Sequence, residues 1–186
     1  MTQVRDIAVI VGSLRKESFN RKIARALVAQ APASLKLEIV EIGDLPLYDQ
    51  DLETATPPAP YVAFRERVKR AQGAIFVTPE YNRSMSAAMK NALDVGSRPY
   101  GQSVWGGKPA AVVSVSIGAI AGFGANMQVR QSCVFLDMPM LQQPEMYIGG
   151  AEKLFDEQGR LTNDSTKSYL DKFLAAYAAW VERILA

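Results

Sequence analysis

The sequence predicts a doubly wound α/β fold, with five parallel strands in the order 2-1-3-4-5 and helices on both faces. Three observations predict it. Short, nearly continuous apolar runs, DIAVIV at 6–11, AIFVT at 74–78 and PAAVVSV at 109–115, read as strands covered on both faces. Segments with helical apolar stripes separate them, and right-handed crossovers then place those helices on both sides of the sheet. The loops leaving the first, third and fourth runs carry the unusual chemistry, and in such a sheet they meet at a crevice outside the strands' carboxyl ends. The chain has 186 residues, 48% of them hydrophobic. That is enough for a sizeable core, and a single domain over 1–186 is expected.

Each element follows from its residues. After the first strand, Asn20, Ile23, Ala24, Leu27, Val28 and Ala31 share one helical stripe, which Pro32 ends. LKLEIVEI, residues 35–42, alternates apolar and polar, so the second strand belongs near an edge with one face partly wet. Residues 43–61, with Pro46, Pro57, Pro58 and Pro60, read as an irregular loop whose last proline can open a helix. That helix runs from about Tyr61 to Gln72, burying Val62, Phe64 or the Arg65 stem, and Val68, until Gly73 stops it. The third strand breaks at Pro79, a helix resumes over 87–95 with Lys90 facing solvent, and 96–108 forms a long polar connection. The fourth strand, 109–115, leads through a glycine-rich loop to a helix over about 126–136. A short fifth strand is expected near Met138 to Leu141 or slightly later, and a final helix capped within 163–165 carries Leu170, Phe173, Leu174, Tyr177, Val181 and Leu185 on one stripe.

The loop GSLRKESFN, residues 12–20, reads as a phosphate cradle. A strand ends at Gly12, and the next helix turns its unpaired N–H groups toward the turn. Ser13, Ser18 and Asn20 add short hydrogen-bonding side chains, and Arg15 adds a charge that can fork onto phosphate oxygens. The plainer alternative is an ordinary turn with Ser18 as N-cap and an exposed Arg15. No glycines stand at 14 and 17, and the Gly-Lys-Ser/Thr ending is missing, so neither common nucleotide fingerprint is met. In PEYNRSMS, residues 79–86, Pro79 stiffens the strand exit, while Glu80, Tyr81 and Asn82 offer backbone groups, an aromatic face and an amide to a flat polar ring. A capped turn explains the same residues. In SIGAIAGFGAN, residues 116–126, Ser116 supplies a hydroxyl and Gly118, Gly122 and Gly124 permit close backbone approach, or simple flexibility.

Composition removes whole classes of function. Lys and Arg number 21 against 19 Asp and Glu, a balance of +2 without a basic block, so no nucleic-acid partner is expected. No apolar run suits a signal peptide or a membrane span, and a cytoplasmic location is expected. Cys133 is the only cysteine, which excludes an intrachain disulfide and a cysteine metal cluster. Histidine is absent, which removes a Ser-His-Asp triad, a Cys-His pair and histidine metal ligands, and shifts demanding chemistry to a bound cofactor.

GSLRKESFN, TPEYNRSMSAAMKNALD (78–94) and the glycine-rich loop, in this order and spacing, resemble the NADPH-dependent FMN reductase family, in particular its chromate- and quinone-reducing bacterial members. The likeness covers nearly the whole chain. It implies a flavodoxin-like fold, non-covalent FMN, and NADPH or NADH as co-substrate. Hydride would pass from NAD(P)H through the flavin N5 to quinones, chromate or similar small acceptors, with no side chain acting as the reacting group. By the family pattern Ser13, Arg15, Ser18 and Asn20 take the FMN phosphate, with Phe19 in the same cofactor-binding loop. Pro79, Glu80, Tyr81 and Asn82 hold the isoalloxazine, with Ser116 and Gly118 at its other edge. Arg83 and Arg98 are the candidate cations for an anionic acceptor or for NADPH phosphates, set against plain solvated arginines. Ser84-Met85-Ser86-Ala87 departs from the Gly or Pro that many relatives carry there. The resemblance also implies a homodimer or homotetramer. Phe135, Met138, Met140 and Met146 could serve a subunit contact or the core.

Two other classes compete with the enzyme. A flavodoxin-type electron carrier would bind FMN without turning over NAD(P)H by itself, and such carriers are usually acidic around the flavin, unlike a +2 chain. A phosphate- or nucleotide-sensing module would stay colourless after FMN is added.

Overall fold

Burial on both faces decides where the first strand goes. β1 (Arg5–Val11) is buried from Ile7 to Val11, and in the computed structural model, which describes residues 3–186, it pairs in parallel with β2 (Leu35–Val40) on one side and β3 (Gly73–Thr78) on the other. β3 and β6 (Ala110–Val115) are wholly buried and pair with each other, and β6 pairs with the short β7 (Met146–Ile148). The sheet order β2-β1-β3-β6-β7 is the expected 2-1-3-4-5 once a separate hairpin, β4 (Glu80–Tyr81) and β5 (Ser84–Met85), is set aside. β2 lies at the edge, with Lys36 and Glu38 exposed.

Two apolar layers cover the sheet. Ile23 and Leu27 of α1 (Phe19–Ala29), with Leu170, Phe173, Tyr177 and Val181 of α5 (Asp164–Leu185), pack against Ile7, Val9, Ile75 and Val113. On the opposite face, α2 (Ala59–Arg70), α3 (Ala87–Gly96) and α4 (Phe123–Phe135) set Phe64, Leu93 and Val129 against Ile10, Phe76 and Val112. Trp105, from the long polar connection, is fully buried among them, and its indole N–H donates to Leu93 O at 3.0 Å. Gly73 is needed where the layers meet. A Cβ there would lie 2.6 Å from the Tyr177 hydroxyl oxygen and 2.9 Å from the Pro109 carbonyl oxygen.

Several local expectations shift. The fifth strand forms at Met146–Ile148, while the 138–141 stretch makes only an isolated parallel bridge, Ala110 to Met140; Pro139 has no N–H to extend a ladder. α1 ends at Ala29, and α4 begins three residues early, at Phe123. Val62 is 44% exposed, whereas both Phe64 and Arg65 are buried, the Arg65 side chain donating to Val95 O and pairing with Glu53. Lys90 faces solvent as expected and pairs with Asp94. Met138 and Met146 join the core, but Phe135 stays 85% exposed. Among the described residues no helix is long and apolar enough to cross a membrane.

Candidate active site

The carboxyl ends of β1, β3 and β6 bring the three unusual loops together. β1 ends at Gly12, whose N–H donates to Val77 O at 2.9 Å and whose carbonyl accepts from the Ser86 hydroxyl at 2.6 Å. That hydroxyl also accepts from Met89 N–H at 3.2 Å as the N-cap of α3. One serine therefore ends the second loop, starts a helix and pins the first loop. A Cβ at Gly12 would sit 3.0 Å from the Ser86 oxygen and 3.1 Å from Met89, so the close approach needs a glycine.

In the first loop Ser18 caps α1, accepting from Arg21 N–H at 3.2 Å, so the plainer reading holds for its hydroxyl. Ser13 and Asn20 are buried. The Asn20 amide nitrogen reaches Val115 O at 3.5 Å, while its side-chain oxygen is buried with no partner. Buried acceptors without a partner are rare in folded proteins. Phe19 stacks on Phe155, ring centroids 6.1 Å apart, with the Lys22 ammonium over both rings. Arg15 is exposed at the mouth of the loop.

The second loop, where the sequence admits a capped turn, folds into a hairpin. Its two turn residues, Asn82 and Arg83, have φ of 50° and 64°, the left-handed pair that a two-residue hairpin requires. Glu80 turns inward, where one carboxylate oxygen accepts from Ala125 N–H at 3.1 Å and the other pairs with Arg83 at 3.2 Å. In the third loop the Ser116 hydroxyl accepts from Gly118 N–H at 3.1 Å, and the Ser114 hydroxyl donates to Ala121 O at 2.7 Å. Asn126, fully buried, donates to Met146 O at 3.3 Å and fastens the loop to β7.

These loops enclose a cavity of about 230 Å³ lined by Ser13, Arg15, Phe19, Asn20, Pro79, Glu80, Tyr81, Val115, Ser116 and Ile117. All three predicted motifs contribute to it. A profile of the NADPH-dependent FMN reductase family matches residues 5–153, which include all three loops. The chain belongs to that family. It is 62% identical over 182 residues to a quinone reductase of Pseudomonas putida, covering 98% of this chain and 97% of that protein. It is 48% identical to a 2-hydroxy-1,4-benzoquinone reductase of a Burkholderia species, covering 94% and 95%. Among solved structures, the flavoenzyme NAD(P)H:(acceptor) oxidoreductase FerB of Paracoccus denitrificans superposes with a TM-score of 0.90 at 37% identity, covering 97% of this chain and 98% of FerB. Membership makes the chain a flavin-dependent oxidoreductase with FMN as cofactor and NAD(P)H as co-substrate.

For an FMN reductase the missed residues are the scaffold. Ser86, Ser114 and Asn126 hold the loops by side-chain hydrogen bonds, and Val115 and Ile117 line the wall. A serine inside the apolar run AAVVSV was the one available signal for Ser114. Ser18 and Gly118 stand in the loops without lining the cavity, as do Asn82 and Arg83 at the hairpin tip. Arg98 is not brought to this cavity within one chain. It follows α3, which runs back about 15 Å toward the sheet's amino edge, and lines a separate cleft with Lys90, Asp94, Gln131 and Phe135.

Proposed function

We propose that this chain reduces quinones with NAD(P)H through FMN held in the 230 Å³ cavity. The open Asn20 oxygen carries the reading, because it is a buried acceptor without a partner on a residue that lines the cavity, and a hydroxyl-bearing ribityl chain would supply a donor. Ser13 and Arg15 would hold the phosphate, together with the N–H groups at the start of α1, where Ser18 shapes the turn and Phe19 closes one wall. Pro79, Glu80 and Tyr81 would flank one edge of the flavin ring and Ser116 the other, with Asn82 and Gly118 shaping the two loops from outside the cavity. When bound, FMN supplies a two-electron centre that NAD(P)H reduces and an acceptor oxidises. The protein's part is to position it, to exclude water with Val115, Ile117 and Tyr81, and to present cations to anionic co-substrates. Arg83, 71% exposed at the hairpin tip, suits that role.

The oligomer we propose is a homodimer, or a tetramer built from it, through the α3–α4 face. Val134 and Phe135 are 75% and 85% exposed there, more apolar surface than a lone helix ordinarily leaves to water. Quinones and chromate, rather than a macromolecule, are the proposed acceptors, and the cytoplasm, which supplies NAD(P)H, is the proposed compartment. The test is NADPH and NADH oxidation by the purified protein with a quinone or chromate and no partner reductase. Sustained turnover is expected. A protein that binds FMN but needs a separate reductase would be an electron carrier, and one that stays colourless with FMN would refute the cavity's role.

A further inference from the structure

We propose that Glu80 is a positioning residue, a clasp that fixes the gap between the second and third loops and so the width of the slot that receives the flavin. The inference rests on the FMN reading above. The N-cap of α4 is Gly122, which offers no side-chain cap, and the helix's first N–H groups need acceptors. Glu80 supplies one from outside the helix: its side chain is 11% exposed, and one carboxylate oxygen accepts from Ala125 N–H at 3.1 Å. A negative charge there also suits the positive end of the helix. Arg83 pairs with the other oxygen at 3.2 Å and balances the charge.

The approach is made possible by a missing side chain. A Cβ on Gly124 would lie 2.7 Å from the Arg83 carbonyl oxygen and 3.0 Å from a Glu80 carboxylate oxygen. One turn further along α4, the Ser84 hydroxyl meets the Gln128 side-chain oxygen at 2.8 Å, a second tie between hairpin and helix. The residues just before α4 are anchored in turn, Ala121 O accepting from Ser114. Pro79, Glu80 and Tyr81 of the second loop line the cavity together with Ser116 and Ile117 of the third, so the Glu80 carboxylate ties the two loops together at the space they enclose. The carboxylate acts through the loops and not as a ligand of the flavin.

Three variants of the full chain test this: Glu80→Gln, Glu80→Ala and Gly124→Ala. FMN dissociation constants, the visible spectrum of the bound flavin and melting temperature are measured for each. Glu80→Gln keeps an acceptor for Ala125 N–H and is expected to bind FMN within about twofold of the parent. Glu80→Ala removes the cap and should bind about tenfold more weakly, the change that losing a cap can produce. Gly124→Ala forces the hairpin away and should weaken binding similarly, and both alanine variants should shift the flavin spectrum. A lowered melting temperature with unchanged FMN affinity and spectrum would mean that Glu80 only stabilises the fold, and would overturn the proposal. Glu80→Gln as impaired as Glu80→Ala would overturn it too, because an acceptor for Ala125 N–H would then be present without holding the slot. Failure of the parent protein to bind FMN would instead sink the underlying functional reading.

Discussion

Replacing Arg15 by Ala separates the phosphate cradle from every other contact in the cavity. Arg15 lines the cavity and is exposed at its mouth, and no ion pair with a carboxylate ties it down among the described residues. Among the described residues no carboxylate pairs with its guanidinium in competition with a bound phosphate. A hydrogen bond to a charged group is worth about 1.5–3 kcal/mol, and two unit charges about 4 Å apart interact by about 1 kcal/mol in water and about 4 near a protein surface. Exposure places Arg15 in the lower half of that range, about 1.5–2 kcal/mol, or roughly 10- to 30-fold in the FMN dissociation constant. Flavin fluorescence titration of the apoprotein reads this directly, with riboflavin as the control ligand. Riboflavin lacks the phosphate, so Arg15→Ala should leave its affinity unchanged, and raising the salt should narrow the gap for FMN only. Asn20→Ala makes the opposite comparison, because the loss of an acceptor for a ribityl hydroxyl should weaken both ligands by about fivefold. An FMN constant unchanged by Arg15→Ala, or an equal loss for riboflavin, would refute the cradle.

Gly73→Ala should destabilise the fold by about 1–3 kcal/mol in urea denaturation, since its Cβ meets a backbone carbonyl as well as the Tyr177 hydroxyl; a neutral effect would show that the sheet yields there. Cys133 is buried, and loss of hydration pushes its thiol up to about 12, so a thiol reagent at pH 8 should leave the native protein unlabelled and modify it only on unfolding. Hydrogen bonds from Arg67, Arg21 and Arg5 hold Glu38, Glu41 and Glu182 below the ordinary carboxylate range. Their contribution is present above the unfolded value of about 4.3 and is lost as pH falls through the lower folded values. The melting temperature should therefore be flat from about pH 7 to 5 and fall below about pH 4.3; a decline already at pH 6 would point to other groups.

Much of the site was legible because a parallel sheet converts strand order into proximity. Once the runs at 6–11, 74–78 and 109–115 are strands, the loops after them must meet, and Ser13, Arg15, Asn20, Glu80, Tyr81 and Ser116 are found around one cavity. Less visible was what each side chain does there. The sequence sets Glu80 toward a flat polar ring, yet its carboxylate caps α4. Arg98 follows PEYN closely in sequence, but a ten-residue helix carries it to the far end of the sheet. The sequence leaves the fifth strand open between 138–141 and a slightly later position, because 138–141 and 146–148 are both locally apolar, and the pairing with β6 separates them.

Apolar runs, helical stripes and the spacing of three polar loops determined the layered architecture, the strand order and the meeting of those loops around one cavity, because these depend on periodicity and chain connection. Tertiary structure alone decided the orphaned Asn20 oxygen, the Ser86 pin, the Glu80 clasp and the removal of Arg98 from its own chain's cavity. Those features depend on which distant backbone group lies within hydrogen-bonding reach of a side chain, a distance of a few ångströms that no local pattern encodes.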